Sequence, residues 1–410
     1  RKVLMYCPYG YYSVNSIGFG NQLTQLMTMV VLAKLTGRVL LLYETQFCWV
    51  KWGWLFDVPQ LAAHLEAHGA ALRIVDVEQI TRTAERAGHL ERHLRNRAAY
   101  LPLSRQRCVT SELHCMLFQA PVQSQNKKCV HSRKSACIDC IARPGNANGG
   151  CTWLKQATLL AQLRADTSPT ILISGYSAMT VASSPRVVGI AWPDHLYLPP
   201  FSSTIRQHAT DIWAPVLRHG EQLEDNVCTF QLRASFCFGE RPDGTYSAKL
   251  DLSDPKLKSW YESNRKPFLE QVRRAVAEHN CSAIYIASDV ESWVVEYIVP
   301  HLQPYRVLTT ANISALVAGH NFTTLYTNTL TVAIDIEILS RGKWFTGTLG
   351  SSVTKMAYAK RRFGRQPSAA HANGALCCKN LNALMDKREL ATLCGPNPDP
   401  ASAYLAYYQF

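Results

Sequence analysis

The segment from Asp335 to Tyr358 constrains the fold more than any other part of the chain. Its pattern predicts the end of a helix, a covered strand at Trp344–Leu349, a turn of small residues at 350–352 and then a new helix. The new helix is predicted from three residues at helical spacing: Val353, Met356 and Ala357. The first N–H groups of a helix have no acceptor within it, so such a turn can hold a phosphate. The plainer interpretation is an ordinary turn between a strand and a helix.

The rest of the chain also alternates between apolar strands and amphipathic helices. Strands are predicted at Lys2–Cys7, Val39–Leu42, Thr170–Ser174, Cys228–Arg233, Ile284–Ala287 and Arg306–Leu308. Helices are predicted from residue 23 to a stop at Gly37, from Pro267 onward and at Trp293–Ile298. This alternation predicts an α/β fold with parallel sheets. Two such runs predict two Rossmann-like domains, 1–200 and 201–410, and the last segment of the second could return to the first.

Cysteines interrupt this pattern in the first half of the chain. The sequence has 14 of them, and one stretch holds Cys108, Cys115, Cys129, Cys137, Cys140 and Cys151. Disulfides are typical of the oxidising secretory pathway, so we interpret residues 108–151 as a cysteine-rich insertion cross-linked by disulfides. A zinc site at Cys129, His131, Cys137 and Cys140 is the alternative, because their spacing is roughly that of zinc ligands.

The composition limits the class of protein. Hydrophobic residues make up 47% of the chain and charged residues 18%, which is typical of a globular protein and not of a disordered one. The formal net charge of +13 is compatible with nucleic-acid binding. However, the basic residues are dispersed and no cluster alternates with aromatic residues, so we do not expect a nucleic-acid partner. A positive field also suits a ligand that carries a diphosphate.

Other signals concern the compartment. Glycosylation sequons begin at Asn280, Asn312 and Asn321, and they agree with the cysteine content in favouring the secretory-pathway lumen. No apolar run is long enough for a membrane span. Because the chain begins at Arg1, we expect a luminal fragment from which a signal peptide or membrane anchor has been removed.

The segment that begins at Asp335 resembles the last shared motif of the α1,6-fucosyltransferases, the family of the core N-glycan enzyme and the Nod-factor enzyme. The matching positions are Asp335, Leu339, Ser340, Thr348, Ser351 and Tyr358. Gly350 and Gly342 stand where that family has a serine and an alanine. Other motifs of the family follow in the same order: Gly18–Leu23, Arg38–Glu44, Trp52–Trp54 with Phe56, Cys228–Arg233 and Ile284–Asp289. The protein O-fucosyltransferases share the glycine-rich start, so the resemblance covers both groups.

The resemblance implies a GT-B fold, in which two Rossmann-like domains face each other, and an inverting transfer of fucose from GDP-fucose to a glycan or glycoprotein. It also implies a metal-independent enzyme of the Golgi or the ER, and the sequence has no strict Asp-X-Asp motif of metal-dependent transferases. No cofactor is expected. In the matching strand of the family an arginine binds the β-phosphate, which assigns that role to Arg233. The planar guanidinium of Arg233 suits a phosphate. The alternative is that Arg233 is a surface residue in a salt bridge.

The base that activates the acceptor is expected in the loop after Arg233. Glu240 is the candidate, since the family's glutamate lies in this loop, and Asp243 and Asp251 are its rivals. The other residues expected to bind the donor come from both domains. They are Gly18, Phe19, Gly20, Asn21, Gln231, Asp289, Asp335, Gly350, Ser351 and Ser352. Among them Asp335 matches the family's guanine contact.

Two positions depart from the family pattern. Gln231 stands where the family usually has a histidine, and Ala234 stands where it often has a second arginine. One positive charge is therefore missing, which leaves open a different nucleotide-sugar donor on the same fold. A third interpretation is an inactive homologue that binds glycans or a partner protein. The retention of Arg233, Asp335 and Ser351 favours an enzyme, because a binding module needs no phosphate site.

Overall fold

The structure of the protein is a computed structural model. The described residues are 2–7, 19–43, 51–75, 113–116, 160–161, 164, 170–174, 197–215, 217, 221–233, 255–318, 324–348 and 351–363. They fall into two compact units, one before and one after the junction between Ser202 and Ser203.

The first unit is built on a parallel five-stranded sheet of order β3-β2-β1-β5-β4. Its strands are β1 (Val3–Cys7), β2 (Val39–Tyr43), β3 (Ala71–Val75), β4 (Leu113–Met116) and β5 (Thr170–Ser174). Its helices are α1 (Phe19–Thr36), α2 (Trp52–Leu55) and α3 (Val58–Glu66). Helix α1 is buried along most of its length against β1 and β2. It ends at Gly37, whose φ of +61° is a left-handed conformation that favours glycine.

The second unit is built on a parallel four-stranded sheet of order β8-β7-β6-β9. Its strands are β6 (Val227–Leu232), β7 (Ala283–Ser288), β8 (Arg306–Thr309) and β9 (Trp344–Gly347). Its helices are α4 (Ser203–Trp213), α5 (Leu223–Asn226), α6 (Pro255–Glu278), α7 (Glu291–Tyr297), α8 (Thr310–Ala318), α9 (Thr324–Arg341) and α10 (Ser352–Phe363), with a 3₁₀ turn at Val299–Leu302.

The two faces of this second sheet differ in chemistry. Side chains alternate between the faces of a strand. On β6, Phe230 and its apolar neighbours join a core with α6 and α7 that also holds Val272 and Trp293. On the other face, Thr229 donates a hydrogen bond to the carbonyl of Leu339 at the end of α9. Gln231 of β6 also bonds to α10, so Thr229 and Gln231 both face the α9 and α10 side of the sheet.

The predicted α/β class with parallel sheets in both halves is confirmed. Two details of the prediction are wrong. Pro267 does not open a helix but lies inside the continuous helix α6, whose first position is taken by Pro255. Residues 113–116, which we assigned to the cysteine-rich insertion, form β4 and pair with β5. The remainder of that insertion, the zinc alternative within it and the predicted return of the last segment lie outside the described residues.

A disulfide joins Cys228 in β6 to Cys281, which lies just before β7. Both cysteines are buried, so the bond lies inside the core between α6 and the sheet. The described part of the chain thus contains a disulfide bond. None of the described helices has the length and apolar character that a bilayer span requires.

The junction between α9 and β9 leaves no room for a side chain at Gly342. A Cβ atom there would lie 2.9 Å from Thr229 Oγ1 and closer still to its Cγ2. Thr229 cannot turn away without losing its hydrogen bonds to the carbonyls of Leu339 and Trp344. We therefore expect Gly342→Ala to lower the free energy of unfolding by about 1–3 kcal/mol, as overpacking does. Urea denaturation measures the loss.

Gly53 provides the matched control for this substitution. It is an exposed residue of helix α2, and a Cβ atom there would meet nothing within 4 Å. Alanine should be neutral or slightly stabilising at this position, because it favours the helix. Equal losses in the two variants would show that the contact with Thr229 is not what requires glycine at 342.

Candidate functional site

The order of strands in the second unit places a crevice between β6 and β9. The chain runs from β6 outward to β7 and β8 and then returns to the other side of β6 to form β9. In open α/β sheets, ligands bind at the carboxyl ends of the strands where the order reverses in this way. Arg233 follows β6 directly and Thr348 follows β9 directly. The predicted position of Arg233 at the end of a buried strand is therefore confirmed.

Arg233 is fixed at both its backbone and its side chain. Its backbone N–H donates to Thr348 Oγ1 at 2.9 Å. Its Nη1 lies 3.3 Å from Asp289 Oδ2, and Asp289 follows the end of β7. The ion pair expected under the alternative interpretation is thus present. However, 44% of the Arg233 side chain is exposed, so the guanidinium is held in place and is still accessible to a ligand.

Thr348 continues the pairing of β6 and β9 beyond the end of the strands. The ladder ends at the pair Gln231 and Gly347. The Thr348 N–H then donates to the Gln231 carbonyl at 2.8 Å, and its hydroxyl donates to the same carbonyl at 3.1 Å. The same hydroxyl oxygen accepts from the Arg233 N–H. The Thr348 hydroxyl therefore fixes the backbone from Gln231 to Arg233.

This arrangement predicts that the hydroxyl of Thr348 matters more than its methyl group. Thr348→Val keeps the shape of the side chain but leaves the N–H of Arg233 without its acceptor. A buried polar group that loses its partner costs about 1–3 kcal/mol. Thr348 is fully buried, so we expect a loss of this size in urea denaturation. Thr348→Ser keeps the hydroxyl and should lose less; a serine variant as unstable as the valine variant would contradict the assignment.

Helix α10 begins in the same crevice. Ser351 precedes it: its N–H donates to the Thr348 carbonyl at 3.2 Å and its own carbonyl accepts from Lys355 N–H. The first N–H groups of the helix, from Ser352 onward, have no acceptor inside the helix and carry a partial positive charge. The predicted strand, turn and helix are confirmed here, except that Gly350 lies outside the described residues.

Close packing fixes the position of α10 against the two strands. Thr354, in its first turn, donates to Gln231 Oε1 at 2.8 Å. A Cβ atom at Gly347 would lie 2.7 Å from Thr354 Cγ2 and closer still to its Oγ1. At the far end, the buried Arg361 donates to the carbonyls of Leu339 and Ser340 in the last turn of α9 and of Gly342 just after it. Both ends of α10 are thus anchored, and its first turn cannot drift away from Arg233.

Two of the side chains expected to bind the nucleotide lie inside the protein. Gln231 is 3% exposed and accepts from Thr354. Asp335 is 4% exposed and accepts hydrogen bonds from the hydroxyls of Tyr285 and Thr310. Burial raises the pKa of the Asp335 carboxyl to about 7, although the two hydrogen bonds lower it. Burial likewise raises the pKa of Tyr285 well above its ordinary value. A direct contact of Asp335 with guanine stays a prediction, and this geometry favours a supporting role.

The remaining candidates divide between the two units. Phe19 and Gly20 are buried at the start of α1 in the first unit, and Asn21 lies in the first turn of that helix. Gly18 and Glu240 lie outside the described residues. In the second unit the structure brings together Arg233, Asp289, Ser351 and the start of α10. The described residues hold no group of three histidine, cysteine or acidic side chains arranged to bind a metal.

Sequence reasoning missed the threonines that support this site. Thr348 was noted only as a matching motif position, and Thr310 was not noted at all. Each is the first residue after an observed strand, but the predicted bounds hid this, because Thr348 lay inside the predicted strand and Thr310 lay two residues beyond its own. A threonine at such a position can use its hydroxyl where the backbone ladder ends.

No model of a known protein family matches the sequence, and no curated protein matches it. Solved structures do resemble the chain. POFUT1 in complex with GDP is 15% identical, with 90% of this chain and 98% of that chain covered and a TM-score of 0.48. NodZ alpha-1,6-fucosyltransferase soaked with GDP-fucose is 13% identical, with 88% and 92% covered and a TM-score of 0.43. A mutant of Arabidopsis thaliana FUT1 in complex with GDP is 12% identical, with 88% and 69% covered and a TM-score of 0.39.

Identities of this size and TM-scores below 0.5 say little about chemistry. What the site can do has to follow from the residues of this chain: an arginine fork, a helix N-terminus beside it and an acidic residue that orients the arginine.

Proposed function

We propose that this protein is a fucosyltransferase that moves fucose from GDP-fucose to a glycan or glycoprotein acceptor. The observation that carries the proposal is the position of Arg233 at the carboxyl end of β6, where the strand order reverses. Thr348 and Asp289 fix it there, beside the start of α10. Arg233 and the N–H groups of α10 together favour an anion with several oxygens, such as a diphosphate. The resemblance of the surrounding motifs to fucosyltransferases supplies the identity of the sugar and the nucleotide.

The proposed reaction is a single displacement with inversion at the anomeric carbon. The bond from that carbon to the β-phosphate oxygen breaks, and a bond to the acceptor oxygen forms on the opposite face. Negative charge develops on the leaving diphosphate, where Arg233 and the first N–H groups of α10 stabilise it. The proton of the acceptor hydroxyl passes to a carboxylate, for which Glu240 is the candidate. Stabilisation of the diphosphate by these groups requires no metal.

A second candidate function keeps the reaction and changes the donor. Gln231 and Asp335, the two side chains expected to select guanine, are both buried and hydrogen-bonded inside the second unit. In this arrangement the side-chain oxygen of Gln231 and the carboxylate of Asp335 already have hydrogen-bond donors inside the protein. Another nucleotide sugar with the same diphosphate would therefore meet the same arginine and the same helix.

A nucleotide screen by thermal shift separates the two candidates. If the donor is GDP-fucose, GDP should raise the melting temperature and UDP should not. A ligand at a hundred times its dissociation constant adds about 2.7 kcal/mol to the free energy of unfolding, which is readily measured. Arg233→Ala is the control, and it should lose the shift with GDP. Equal shifts with GDP and UDP would refute the guanine assignment, and no shift with any nucleotide would favour a glycan-binding homologue.

We further propose that the protein works in the lumen of the secretory pathway, in the Golgi or the ER. The buried disulfide between Cys228 and Cys281 supports an oxidising compartment. The sequon residue Asn280 is exposed two residues after the end of α6, which agrees with glycosylation at this position. We expect the partners to be the nucleotide sugar and the acceptor, and not nucleic acid.

A further inference from the structure

Asp335 lies in the middle of α9, and its carboxylate points into the sheet and not into solvent. We propose that Thr310 is a positioning residue for Arg233, acting through the turn that carries Asp289, and that Asp335 orients the Thr310 hydroxyl. This inference rests on the proposed function, because it assigns the residues that hold the diphosphate-binding arginine.

The first step concerns the end of the ladder between β7 and β8. The last paired residues are Ile286 and Thr309, so the backbone of β8 offers no partner for the next N–H group of β7. Thr310 is already the first residue of α8. Its hydroxyl oxygen accepts from the Ser288 N–H at 3.0 Å and takes the place of the missing strand residue. Thr310 is 3% exposed, so water does not compete freely for this bond.

The second step concerns the direction of the Thr310 hydroxyl. A hydroxyl has one hydrogen to donate and lone pairs to accept with. The two carboxylate oxygens of Asp335 lie 3.1 and 3.3 Å from Thr310 Oγ1, so the hydrogen points to Asp335. The lone pairs are then left for Ser288. Tyr285 donates its own hydroxyl to Asp335 Oδ1, which fixes the carboxylate in turn.

The third step leads from Ser288 to Arg233. The Ser288 hydroxyl accepts from the Val290 N–H at 3.2 Å, which closes a tight turn around the residue between them. That residue is Asp289, whose carboxylate meets the Arg233 guanidinium. The orientation of the turn sets the position of the Asp289 carboxylate, and this carboxylate sets the position of the Arg233 guanidinium. A buried network in α9 and β7 thus sets the geometry of an accessible cation.

The test is the affinity for GDP, measured by calorimetry on folded variants. Thr310→Val keeps the shape of the side chain and removes both of its hydrogen bonds, so we expect the dissociation constant for GDP to rise about tenfold. Thr310→Ser keeps the hydroxyl and should restore most of the affinity. A loss of packing alone would affect the serine variant at least as much as the valine variant, because serine also removes a methyl group.

A double-mutant cycle shows whether Thr310 acts through the turn. In an Asp289→Ala background the link to Arg233 is already broken, so Thr310→Val should weaken GDP binding no further. The same tenfold weakening in both backgrounds would overturn the positioning role. If the wild-type protein binds no GDP at all, the proposed function fails and the inference fails with it. Ordinary GDP binding with additive effects removes the inference alone.

Discussion

Arg233→Lys is expected to lower turnover about 100-fold or more, measured as GDP released from GDP-fucose. The substitution keeps the positive charge but removes the planar fork that can bind two oxygens of a diphosphate at once. Removing one well-placed donor to a developing negative charge typically costs about 10²–10³ in rate. The effect should appear in kcat more than in KM, since the charge on the diphosphate is largest in the transition state.

Arg306 offers a matched control in the same sheet. It begins β8 at the opposite edge, where its Nη2 lies 3.0 Å from Glu221 Oε2. Arg306→Lys makes the same chemical change in a similar ion pair, but far from the carboxyl ends of the strands. It should leave turnover unchanged. Near-normal turnover in Arg233→Lys would show that Arg233 does not bind the diphosphate.

The loss of the disulfide between Cys228 and Cys281 is expected to lower the free energy of unfolding by roughly 4 kcal/mol. The two cysteines are 53 residues apart, and a cross-link over a loop of that length restricts the unfolded chain by about this amount. Cys228→Ala and Cys281→Ala should each lose nearly the whole effect, as measured by denaturation in guanidinium chloride without reductant.

The cross-link needs both cysteines, which provides its own control. The double variant should be hardly less stable than either single variant, because the first substitution already breaks the bond. Two small losses that add up in the double variant would instead indicate ordinary packing of two buried thiols. The disulfide would then contribute nothing of its own to stability.

Seven of the nine described strands were predictable because each is a short apolar run beside a turn or helix signal, whereas β3 and β4 were not predicted. β5 has the predicted bounds, β6 is shifted by one residue at both ends, and β7 is one residue longer at each end. Helix α6 was predicted to start too late, because Pro267 is a strong start signal and the polar residues before it gave no apolar period. Strand β4 was missed since four residues among cysteines carry too little periodicity to suggest a strand.

The position of Arg233 in the candidate site was predictable, but the positions of the residues around it were not. The place of Arg233 follows from the strand that ends beside it, which the sequence shows directly. The pairing of Arg233 with Asp289 requires β6 and β7 to be neighbours in parallel, and this depends on the order of the sheet. The burial of Asp335 depends on which side of α9 meets the sheet. Ile334 and Ile336 flank it, so that the sequence alone leaves both directions open.

The structure of the protein crystallised with GDP tests the central claim most directly. We predict that the β-phosphate lies at the carboxyl ends of β6 and β9, with an oxygen about 2.7–2.9 Å from a guanidinium nitrogen of Arg233, the usual length of such a charged hydrogen bond. A second oxygen should accept from the first N–H groups of α10. A diphosphate bound out of hydrogen-bonding reach of Arg233 would contradict the proposed site.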